Sequence, residues 1–550
     1  MSKKSTLLSS VLFISTCIFS CVAFAQAPDW LWAKNAIGVN YNYGTSVASD
    51  KWGNVYVAGS FDGDSIQFQN ITLTVNNGLT DGSIFVAKYD STGNIIWAKA
   101  FSGDGDEWPV MTIDKNANIY ITGPFSSNSI QFGSTTLYNA SLSPSNNDIF
   151  IAKLDTDGNV IWATRAGSQG YDRATAITTD QQDNIYIAGA FEDTLLYGDI
   201  ILINDDPTAG ATWGTVLNEF VIKLDKNGIG IWGNNKLADG SSAIACDKNQ
   251  NVYVTGLNTS AYNGNVPLRY IEKFDVSGNL LWTNMIDGNS FAWALDVDSS
   301  GNAYVSGPFG QTLHLGNYTF IPDPTSGNSY LVKYAPDGNV IWAKTFSSIG
   351  VYSLAADSNK FIYLTGGFGA DSISIDGIVL YNSNPNLYGS DIYVLKCDTS
   401  GNVIWATSAG GYGSDGVVAI STNERGNVFI TGYYYSDSCY FGSTVFTDSG
   451  YNFYVAKLDA SAALTISEKE IENDIFLILP NPNIGKFIIQ CEANGSYQLK
   501  VFNLMGQAVF QQQINNQQTS IDLSHLSNGI YMLNLNDGKL NQNKRLVIAK

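Results

Sequence analysis

One short phrase recurs along the chain, and it restricts the possible folds more than any other feature. In "DTDGNVIWA" (155–163), Gly follows Asp by three residues and Trp follows that Gly by four. Apolar, β-branched and aromatic residues flank the Asp-to-Gly segment, which is typical of two strands joined by a tight turn. The phrase recurs, with small changes, at 90–98, 225–233, 275–283, 335–343 and 398–406.

Three markers follow one another in fixed order: the Trp after the turn, a Gly closing a Tyr- or Phe-containing strand, and a Lys in the strand before the next turn. Each marker has seven copies, 50 to 70 residues apart: Trp32, Trp97, Trp162, Trp232, Trp282, Trp342 and Trp405; Gly59, Gly123, Gly189, Gly256, Gly307, Gly366 and Gly432; Lys88, Lys153, Lys223, Lys273, Lys333, Lys396 and Lys457. Repeats of four short strands indicate β-propeller blades, whereas a separate sandwich domain takes about 100 residues. The sequence predicts an all-β, seven-bladed β-propeller.

The two ends of the repeat region lack complementary parts. The first repeat begins with a Trp strand at 30–36, and no Lys strand precedes it. The last repeat ends with the Lys457 strand, and 459–467 contains neither the Gly nor the Trp. We therefore expect the N-terminal strand to complete the seventh blade, since an open array would leave strand edges to be capped.

The turn in the opening phrase also resembles the first half of a calcium-binding loop. Such a loop needs an oxygen ligand at its third position and a Glu at its twelfth. The third position is Thr92, Asp157 or Ser277 in different copies, and the twelfth position of the 155 copy is Ala166. The constant Asp and Gly are what a turn requires, so we interpret the phrase as a hairpin turn with no metal site.

The repeated phrases resemble the β-propeller repeats called SBBP repeats. The resemblance rests on segments such as "IFIAKLD" (149–155) and "AITTDQQDNIYIAG" (176–189), which keep their order over about residues 30–460. It implies a propeller fold and does not imply an activity, because propellers have many unrelated functions.

Residues 1–25 have the pattern of an export signal. Lys3 and Lys4 precede an apolar stretch, and Ala23-Phe24-Ala25 has the small residues of a cleavage site. A lipoprotein signal at Cys21 is the alternative, although Phe19 fits it poorly. No later segment reaches the roughly 20 apolar residues that span a bilayer, so we expect an exported chain with no transmembrane segment.

The C-terminal region, 474–550, resembles the type A C-terminal sorting domain of type IX secretion substrates. The matching features are "LPNPNIGKF" (479–487), "VFNLMG" (501–506), "IDLSHLSNGIY" (521–531) and "KRLVI" (544–548). The pattern predicts a small β-sandwich. The resemblance implies interaction with the type IX secretion machinery and a sortase-like peptidase, followed by release or surface attachment. We expect a signal peptide at 1–25, the propeller at 26–460, a linker at 461–473 and the sorting domain at 474–550.

Composition excludes several kinds of function. The chain has 29 basic and 49 acidic residues, and this net charge of −20 disfavours binding to nucleic acid. Of its two histidines, His525 lies in the C-terminal region and His314 in an alternating, strand-like stretch typical of a packed or surface residue, which disfavours a Ser/His/Asp site. Two histidines are also too few for a His-based zinc site. Cys397 occupies a slot held by Leu154 in a sibling repeat, which favours an apolar filler over a disulfide. We predict no catalytic residues, no metal and no cofactor.

The connections of variable length are the best candidates for a binding face. If the strands alternate in direction, both variable connections of each repeat lie on one face, and such insertions commonly form the binding face. Aromatic rings beside hydrogen-bonding groups suit sugars or peptides. The predicted ligand-binding residues are Tyr43, Asp106, Trp108, Tyr171, Phe291, Tyr352 and Tyr412.

Three functions are compatible with this sequence. We favour an exported module that binds an extracellular glycan or protein, as an adhesion or recognition domain. The first alternative is an extracellular lyase or hydrolase that uses loop carboxylates on carbohydrate. The second is a structural surface protein without a discrete ligand.

Overall fold

The computed structural model describes residues 28–548 except 76–81, 103–107, 142, 144–145, 205–216, 238–239, 259–267, 359, 384–388, 424, 449, 460–475, 480–484, 492–495, 504–506, 528 and 537–540. The chain divides into two compact units, one within 24–465 and the other containing 466–550. Every regular element in the described residues is a β-strand. The predicted signal peptide at 1–25 lies outside the described residues.

The strands of the first unit follow one another as a series of short elements. The first half comprises β1 Trp30–Gly38, β2 Asn42–Ser49, β3 Val55–Phe61, β4 Ser65–Phe68, β5 Ile71–Thr74, β6 Ser83–Tyr89, β7 Ile95–Phe101, β8 Val110–Ile113, β9 Ile119–Phe125, β10 Ser129–Phe132, β11 Thr135–Tyr138, β12 Asp148–Leu154, β13 Val160–Ala166, β14 Asp172–Thr179, β15 Ile185–Phe191, β16 Thr194–Tyr197, β17 Ile200–Ile203, β18 Asn218–Leu224 and β19 Gly230–Leu237. The second half comprises β20 Ser241–Cys246, β21 Val252–Asn258, β22 Leu268–Phe274, β23 Leu280–Ile286, β24 Ala294–Val297, β25 Ala303–Pro308, β26 Leu313–Leu315, β27 Tyr318–Phe320, β28 Asn328–Tyr334, β29 Val340–Ser347, β30 Gly350–Ala356, β31 Phe361–Phe368, β32 Ser372–Ile375, β33 Ile378–Tyr381, β34 Asp391–Asp398, β35 Val403–Gly411, β36 Gly416–Thr422, β37 Val428–Tyr434, β38 Cys439–Phe441, β39 Thr444–Phe446 and β40 Asn452–Leu458.

These strands form antiparallel sheets of four, the pattern of propeller blades. Six follow chain order: sheet 1 (β2, β3, β6, β7), sheet 2 (β8, β9, β12, β13), sheet 3 (β14, β15, β18, β19), sheet 4 (β20–β23), sheet 5 (β24, β25, β28, β29) and sheet 6 (β30, β31, β34, β35). Sheet 7 consists of β36, β37 and β40, with β1 as its fourth strand. The register pairs Trp32 with Lys457 and Ala36 with Phe453.

Neighbouring sheets meet through their first strands. Strand β2 contacts β8, β8 contacts β14, and the series continues through β20, β24, β30 and β36, which in turn contacts β2. Among the described residues, a hairpin follows the second strand in six sheets: β4–β5, β10–β11, β16–β17, β26–β27, β32–β33 and β38–β39. Apolar hairpin residues such as Ile130 and Phe132 are buried in the cores between sheets.

The turn at Asp155 has the hydrogen bonding that the sequence predicts. The Asp155 carboxylate accepts hydrogen bonds from the backbone N–H groups of Asp157 (2.9 Å) and Asn159 (2.8 Å). It also accepts one from the side-chain amide of Asn159 (2.9 Å). Gly158 has a φ of +77°, in the left-handed region that favours glycine. The side chain that first suggested a metal ligand therefore holds the turn together.

The recurring Trp and Lys connect each sheet to the next one. From sheet 1, Lys88 Nζ (3.0 Å) and Trp97 Nε1 (3.1 Å) both donate to the carbonyl of Thr156, in the turn of sheet 2. The Trp97 ring also lies against Gly158 of that turn. Equivalent pairs converge on Val276, Pro336 and Thr399. In these copies, the recurring Trp therefore packs between neighbouring repeats.

The recurring Lys side chains are buried and have partners. In sheet 3, Lys223 is 3 % exposed, lies 4.9 Å from the centre of the Tyr186 ring, and has its Nζ 3.9 Å from Asp180. A buried ammonium group needs such partners, because it gives up its hydration. Burial lowers the pKa of Lys223, although the nearby Asp180 carboxylate opposes that shift.

The four cysteines at 246, 397, 439 and 491 are free thiols. Cys397 is fully buried in the core between sheets 5 and 6, together with Leu395 and Ile375. It therefore fills the apolar slot that the repeat comparison predicted.

The second unit contains two antiparallel sheets around one core. Its strands are β41 Phe476–Leu479, β42 Lys486–Cys491, β43 Tyr497–Phe502, β44 Ala508–Ile514, β45 Gln518–Asp522, β46 Gly529–Asn536 and β47 Asn541–Ile548. One sheet has the order β41–β42–β45 and the other β44–β43–β46–β47. Phe487 and Ile489 from the first sheet share a buried core with Leu499 and Leu533 from the second.

The turn interpretation predicts which substitution destabilises the first unit. A Cβ at Gly158 would lie 3.0 Å from Cζ3 of Trp97, and left-handed backbone costs an L-residue about 1–2 kcal/mol. Gly158→Val should therefore lower the melting temperature of the protein. Asp157→Ala is the matched control: it should change the melting temperature little, because the backbone N–H of Asp157 makes the bond to Asp155. A calcium-dependent rise in melting temperature that Asp157→Ala abolishes would contradict this interpretation.

Candidate functional site

The two variable connections of each repeat lie side by side. The backbone N–H of Asp62, after β3, donates to the Tyr41 carbonyl between β1 and β2 (3.0 Å). The N–H of Glu192 donates likewise to the Tyr171 carbonyl (3.0 Å). These bonds place the variable connections on one face of the sheets, away from the Asp–Gly turns at the other strand ends.

A cavity of about 860 Å³ opens on this face at sheets 1 to 3. Three of the predicted binding residues, Tyr43, Trp108 and Tyr171, line it. Its polar lining includes Ser60, Asp62, Ser126, Asn147, Arg173 and Thr175. Predicted residue Asp106 lies outside the described residues.

Tyr43 belongs to a continuous group of rings, which we call the tyrosine cluster. Its members are Tyr41, Tyr43, Trp108, Tyr433, Tyr435 and Tyr451. Ring centres are 5.7 Å apart for Tyr43 and Trp108, and 5.2 Å apart for Tyr43 and Tyr433. Tyr435 stacks on Tyr451 at 4.3 Å. The cluster therefore combines residues from both ends of the repeat region.

The outer rings of the tyrosine cluster are open to solvent. Tyr41 is 48 % exposed, Trp108 43 % and Tyr435 49 %. Aromatic rings of this size are usually much more buried in a core, so this contiguous exposed set is a candidate interaction surface.

Tyr43 is the most perturbed titratable group in this cluster. Burial, followed by the effect of Tyr451 and Tyr433, raises the pKa of Tyr43 to about 12. Its phenol is therefore protonated at neutral pH and can donate a hydrogen bond to a ligand. A raised pKa is the opposite of what a tyrosine acting as general base needs.

Tyr171 and Arg173 form the far side of the cavity. The Arg173 guanidinium lies 6.0 Å from the centre of the Tyr171 ring. The Tyr171 backbone N–H donates to a Glu192 carboxylate oxygen at 3.0 Å, which fixes the loop that carries the ring. The cavity thus pairs aromatic faces with one acid, Asp62, and one base, Arg173, among its described lining residues.

Two other predicted residues, Phe291 and Tyr352, belong to a separate group of rings. Trp293 joins them, with ring centres 4.9 Å from Phe291 and 5.7 Å from Tyr352. The Arg269 guanidinium lies over the Phe291 ring at 4.4 Å. The remaining predicted aromatic residue, Tyr412, is 63 % exposed and does not line the cavity. The structure thus distributes the predicted residues over more than one place.

Sequence reasoning missed Tyr41, Tyr433, Tyr435, Tyr451 and Trp293. Two signals were available in the sequence. Tyr433 and Tyr435 belong to a run of three tyrosines, and Tyr41 precedes the predicted Tyr43 by two residues in the same loop.

No three His, Cys, Asp or Glu side chains in the described parts of the chain come together as metal ligands. No helix long and apolar enough to cross a membrane occurs there either.

Comparison with known proteins identifies the second unit. Residues 477–549 match the family model of the secretion system C-terminal sorting domain. This region is a type IX sorting domain. The chain is therefore a substrate of the type IX secretion machinery, exported to the cell surface or secreted, as the sequence predicted.

Relatives of the remaining chain are distant. An uncharacterized WD repeat-containing protein of Acanthamoeba polyphaga mimivirus is 24 % identical, with 78 % of this chain and 38 % of the relative covered. An ulvan lyase of Nonlabens ulvanivorans is 24 % identical over 40 % of each chain. The chain thus spans about two fifths of the length of these relatives.

A solved structure of Sqt1 from Chaetomium thermophilum aligns with a TM-score of 0.37 and 10 % identity, covering 74 % of this chain and 82 % of that one. A likeness at this level does not support an inference about fold or function.

The sorting domain yields a prediction about destination. A chain without residues 474–550 should fold its repeat region and remain in the periplasm, because this domain is what the secretion machinery recognises. Cell fractionation and surface labelling of the truncated and full-length chains would measure this. Surface display of the truncated chain would contradict the assignment of secretion to this domain.

Proposed function

We propose that residues 26–460 form a closed, seven-bladed β-propeller in which β1 completes the seventh blade. The pairing of Trp32 with Lys457 supports this proposal, as does the contact between the first strands β36 and β2. Trp32 Nε1 and Lys457 Nζ also both donate to the Ser91 carbonyl of sheet 1, each at 3.2 Å. Sheet 7 thus contacts sheet 1 through the same pair of hydrogen bonds that connects sheet 1 to sheet 2, where Lys88 and Trp97 donate to Thr156.

The proposed domain layout follows from the same boundaries. The signal peptide is 1–25, the propeller 26–460, the linker 461–473 and the sorting domain 474–550. The division between the two compact units near residue 465 supports the position of the linker.

The function that we propose for the exported propeller is binding of an extracellular glycan. The observation that carries it is the solvent-exposed tyrosine cluster beside a cavity that also presents Asp62, Asn147 and Arg173. Aromatic rings pack on the apolar faces of sugar rings, while the polar side chains hydrogen-bond to hydroxyl groups. A cavity of about 860 Å³ has room for several sugar residues, since pockets for drug-sized ligands are about 300–1,000 Å³.

A lyase acting on carbohydrate is the second candidate, because part of the chain is similar to an ulvan lyase. Such an enzyme needs a general base at the substrate. Burial shifts the pKa of Tyr43 upward, away from that role, and Asp62 is the one carboxylate among the described cavity residues. These features favour binding over turnover.

Closure of the ring predicts how the chain responds to loss of its first strand. Deleting residues 26–38 should leave the β40 edge unpaired and promote aggregation. Light scattering and thermal unfolding would measure the effect. A monomeric variant with an unchanged melting temperature would contradict closure by β1.

The proposed site predicts the effect of removing its aromatic side chains. Trp108→Ala and Tyr171→Ala should each weaken glycan binding by about 1–3 kcal/mol, or roughly 5- to 150-fold, as hot-spot truncations do. The ligand would be found on a glycan array and its affinity measured by calorimetry. Tyr381→Ala is the control, because Tyr381 is 72 % exposed on β33 and does not line the cavity.

Two outcomes would contradict this proposal. If no glycan binds, or if the double variant Trp108→Ala, Tyr171→Ala binds as tightly as the unaltered protein, the tyrosine cluster is not a glycan site. Release of shortened glycan products by the unaltered protein would favour the lyase candidate instead.

A further inference from the structure

Sheets 3 and 4 meet in a way that differs from the other interfaces. Only nine residues (259–267) separate β21 from β22 in sheet 4, whereas twenty-one separate β3 from β6 in sheet 1. Nine residues are fewer than the ten of the hairpin Ser65–Thr74 alone. These nine residues lie outside the described part of the chain, and their sequence contains no charged residue.

At the interface between sheets 1 and 2, the hairpin β10–β11 of sheet 2 packs against an apolar pair of sheet 1. Ile84 and Phe101 are cross-strand neighbours in sheet 1. Phe101 packs on Phe132 of the sheet 2 hairpin, with ring centres 4.9 Å apart, and all three side chains are buried. An apolar pair in one sheet therefore meets an apolar hairpin of the next.

In sheet 3, a charged pair replaces that apolar pair. Glu219 and Lys236 are cross-strand neighbours in the register of Ile84 and Phe101. Sheet 4 faces them with Glu272, which stands one residue before its Lys, where sibling repeats have Ala87 or Ala152. The polar substitutions thus coincide with the shortened connection.

These side chains surround a cavity of about 370 Å³ between sheets 3 and 4. Lys236 Nζ lies 2.8 Å from Glu272 Oε1 and 3.9 Å from Glu219 Oε2, and it sits over the Tyr270 ring at 3.1 Å. Thr283 also donates to Glu272 Oε1, at 2.8 Å. The remaining lining consists of Val221, Asn234, Asn235, Phe274, Gly278, Asn279 and Leu280.

Glu219 is the unusual member of this group. It is 2 % exposed, and among the described residues neither of its carboxylate oxygens has a hydrogen-bond partner. Leaving a buried polar group without a partner is unfavourable, because the group has lost its hydration, so native proteins seldom retain one without a role. A ligand in the cavity that hydrogen-bonds to Glu219 would supply the missing partner.

We propose that this cavity binds one neutral sugar residue, or a small polyol of similar size, at a site separate from the tyrosine cluster. Its volume is at the lower end of the range for ligand pockets. The amide nitrogens of the three lining asparagines, Asn234, Asn235 and Asn279, each donate within the protein, to Gly278, Ile203 and Asp275 respectively. Each amide has a second N–H and an oxygen, which together with Glu219 and Lys236 provide donors and acceptors for hydroxyl groups, and Val221, Phe274 and Leu280 provide an apolar surface. Leu280, 53 % exposed, marks the opening.

The charges of the cavity favour a neutral ligand. Lys236 neutralises Glu272, to which it is paired. Burial raises the pKa of Glu219 to about 8; Lys236 opposes this shift and Glu272 adds to it. At neutral pH, Glu219 is therefore an uncharged carboxylic acid that can donate one hydrogen bond and accept others. The described charged groups then sum to zero.

Calorimetry with a panel of simple sugars would test the site in the full-length protein. The probes are glucose, galactose, mannose and xylose, with glucuronate and glucosamine as charged comparators. At least one neutral sugar should bind more tightly than both charged comparators, and the Trp108→Ala variant should bind it equally well. Stronger binding of a charged comparator, or no binding of any neutral sugar, would overturn the proposal.

Variants of the lining locate the bound sugar. Glu219→Leu should weaken binding at least tenfold, because it removes the hydrogen-bonding group and keeps a buried side chain. Leu280→Trp, at the exposed opening, should block the cavity without altering the core. It tests the same site if Glu219→Leu fails to fold. Unchanged affinity in the folded variants would show that the sugar binds elsewhere.

The pH dependence of sugar affinity distinguishes a Glu219 that contacts the sugar from a Glu219 that only supports the fold. Lys236 on the same sheet and Glu272 with Tyr270 on the opposite sheet are the described charged and titratable groups that face Glu219. Affinity for the neutral sugar should fall as pH rises through about 8, when Glu219 ionises. Glu219→Gln should bind at neutral pH and show a flat profile over this range; a profile identical to that of the unaltered protein would contradict the assigned role.

Discussion

The rest of the first unit depends on one shared hydrogen-bond acceptor, the carbonyl at the second position of each Asp–Gly turn. At five of the described steps between sheets, a tryptophan and a lysine of the preceding sheet both donate to it, as Trp97 and Lys88 do to Thr156. At the step from sheet 2 to sheet 3, Lys153 donates to the Lys226 carbonyl, whereas Trp162 Nε1 has no hydrogen-bond partner in the described residues. The turn that presents this carbonyl is itself held by the carboxylate of Asp155 and by the left-handed Gly158, against which the Trp97 ring packs. The turn, the tryptophan and the lysine therefore recur together because they are parts of a single contact between neighbouring sheets.

Such a contact makes the stability of each sheet depend on its neighbours, as in other repeat proteins. Sheet 7 donates to Ser91 of sheet 1 through Trp32 and Lys457, although these residues are more than 400 positions apart. At the step from sheet 6 to sheet 7, Trp405 is fully buried, and its indole nitrogen has no hydrogen-bond partner in the described residues. The corresponding acceptor position in sheet 7 is residue 460, which lies beyond the described end of β40.

Internal repetition explains how much of this could be predicted from sequence. Seven copies distinguish what is constant from what varies, so the turn at Asp155, the strands that carry the recurring Trp and the apolar slot of Cys397 could all be inferred. The sorting domain was predictable because its motifs are specific.

The tyrosine cluster was only partly predictable, since Tyr43 meets Tyr433 and Tyr451 through contacts between the two ends of the repeat region. Periodicity indicates which loops share a face, but it does not indicate which rings touch. Likewise, Glu219 and Glu272 are visible as departures from the repeat, whereas the cavity between them depends on how two sheets pack.

Both proposed sites occur where the sequence departs from the repeat. The position of the shared carbonyl explains why the fold tolerates these departures. That carbonyl lies at the turn end of each sheet, whereas the tyrosine cluster lies at the opposite end of strands about seven residues long, or roughly 20 Å away. Loops at the variable end can therefore gain aromatic residues without disturbing the contact that orders the sheets. Glu219 follows the same logic: Lys223, four residues further along β18, still donates to Val276 of sheet 4 while Glu219 and Lys236 replace an apolar pair. The cavity that they line extends from there to Gly278 and Asn279 of the sheet 4 turn. The carbonyl contacts at the turn end keep the sheets in order. The unfavourable free energy of burying Glu219 near the variable end affects only the interface between sheets 3 and 4.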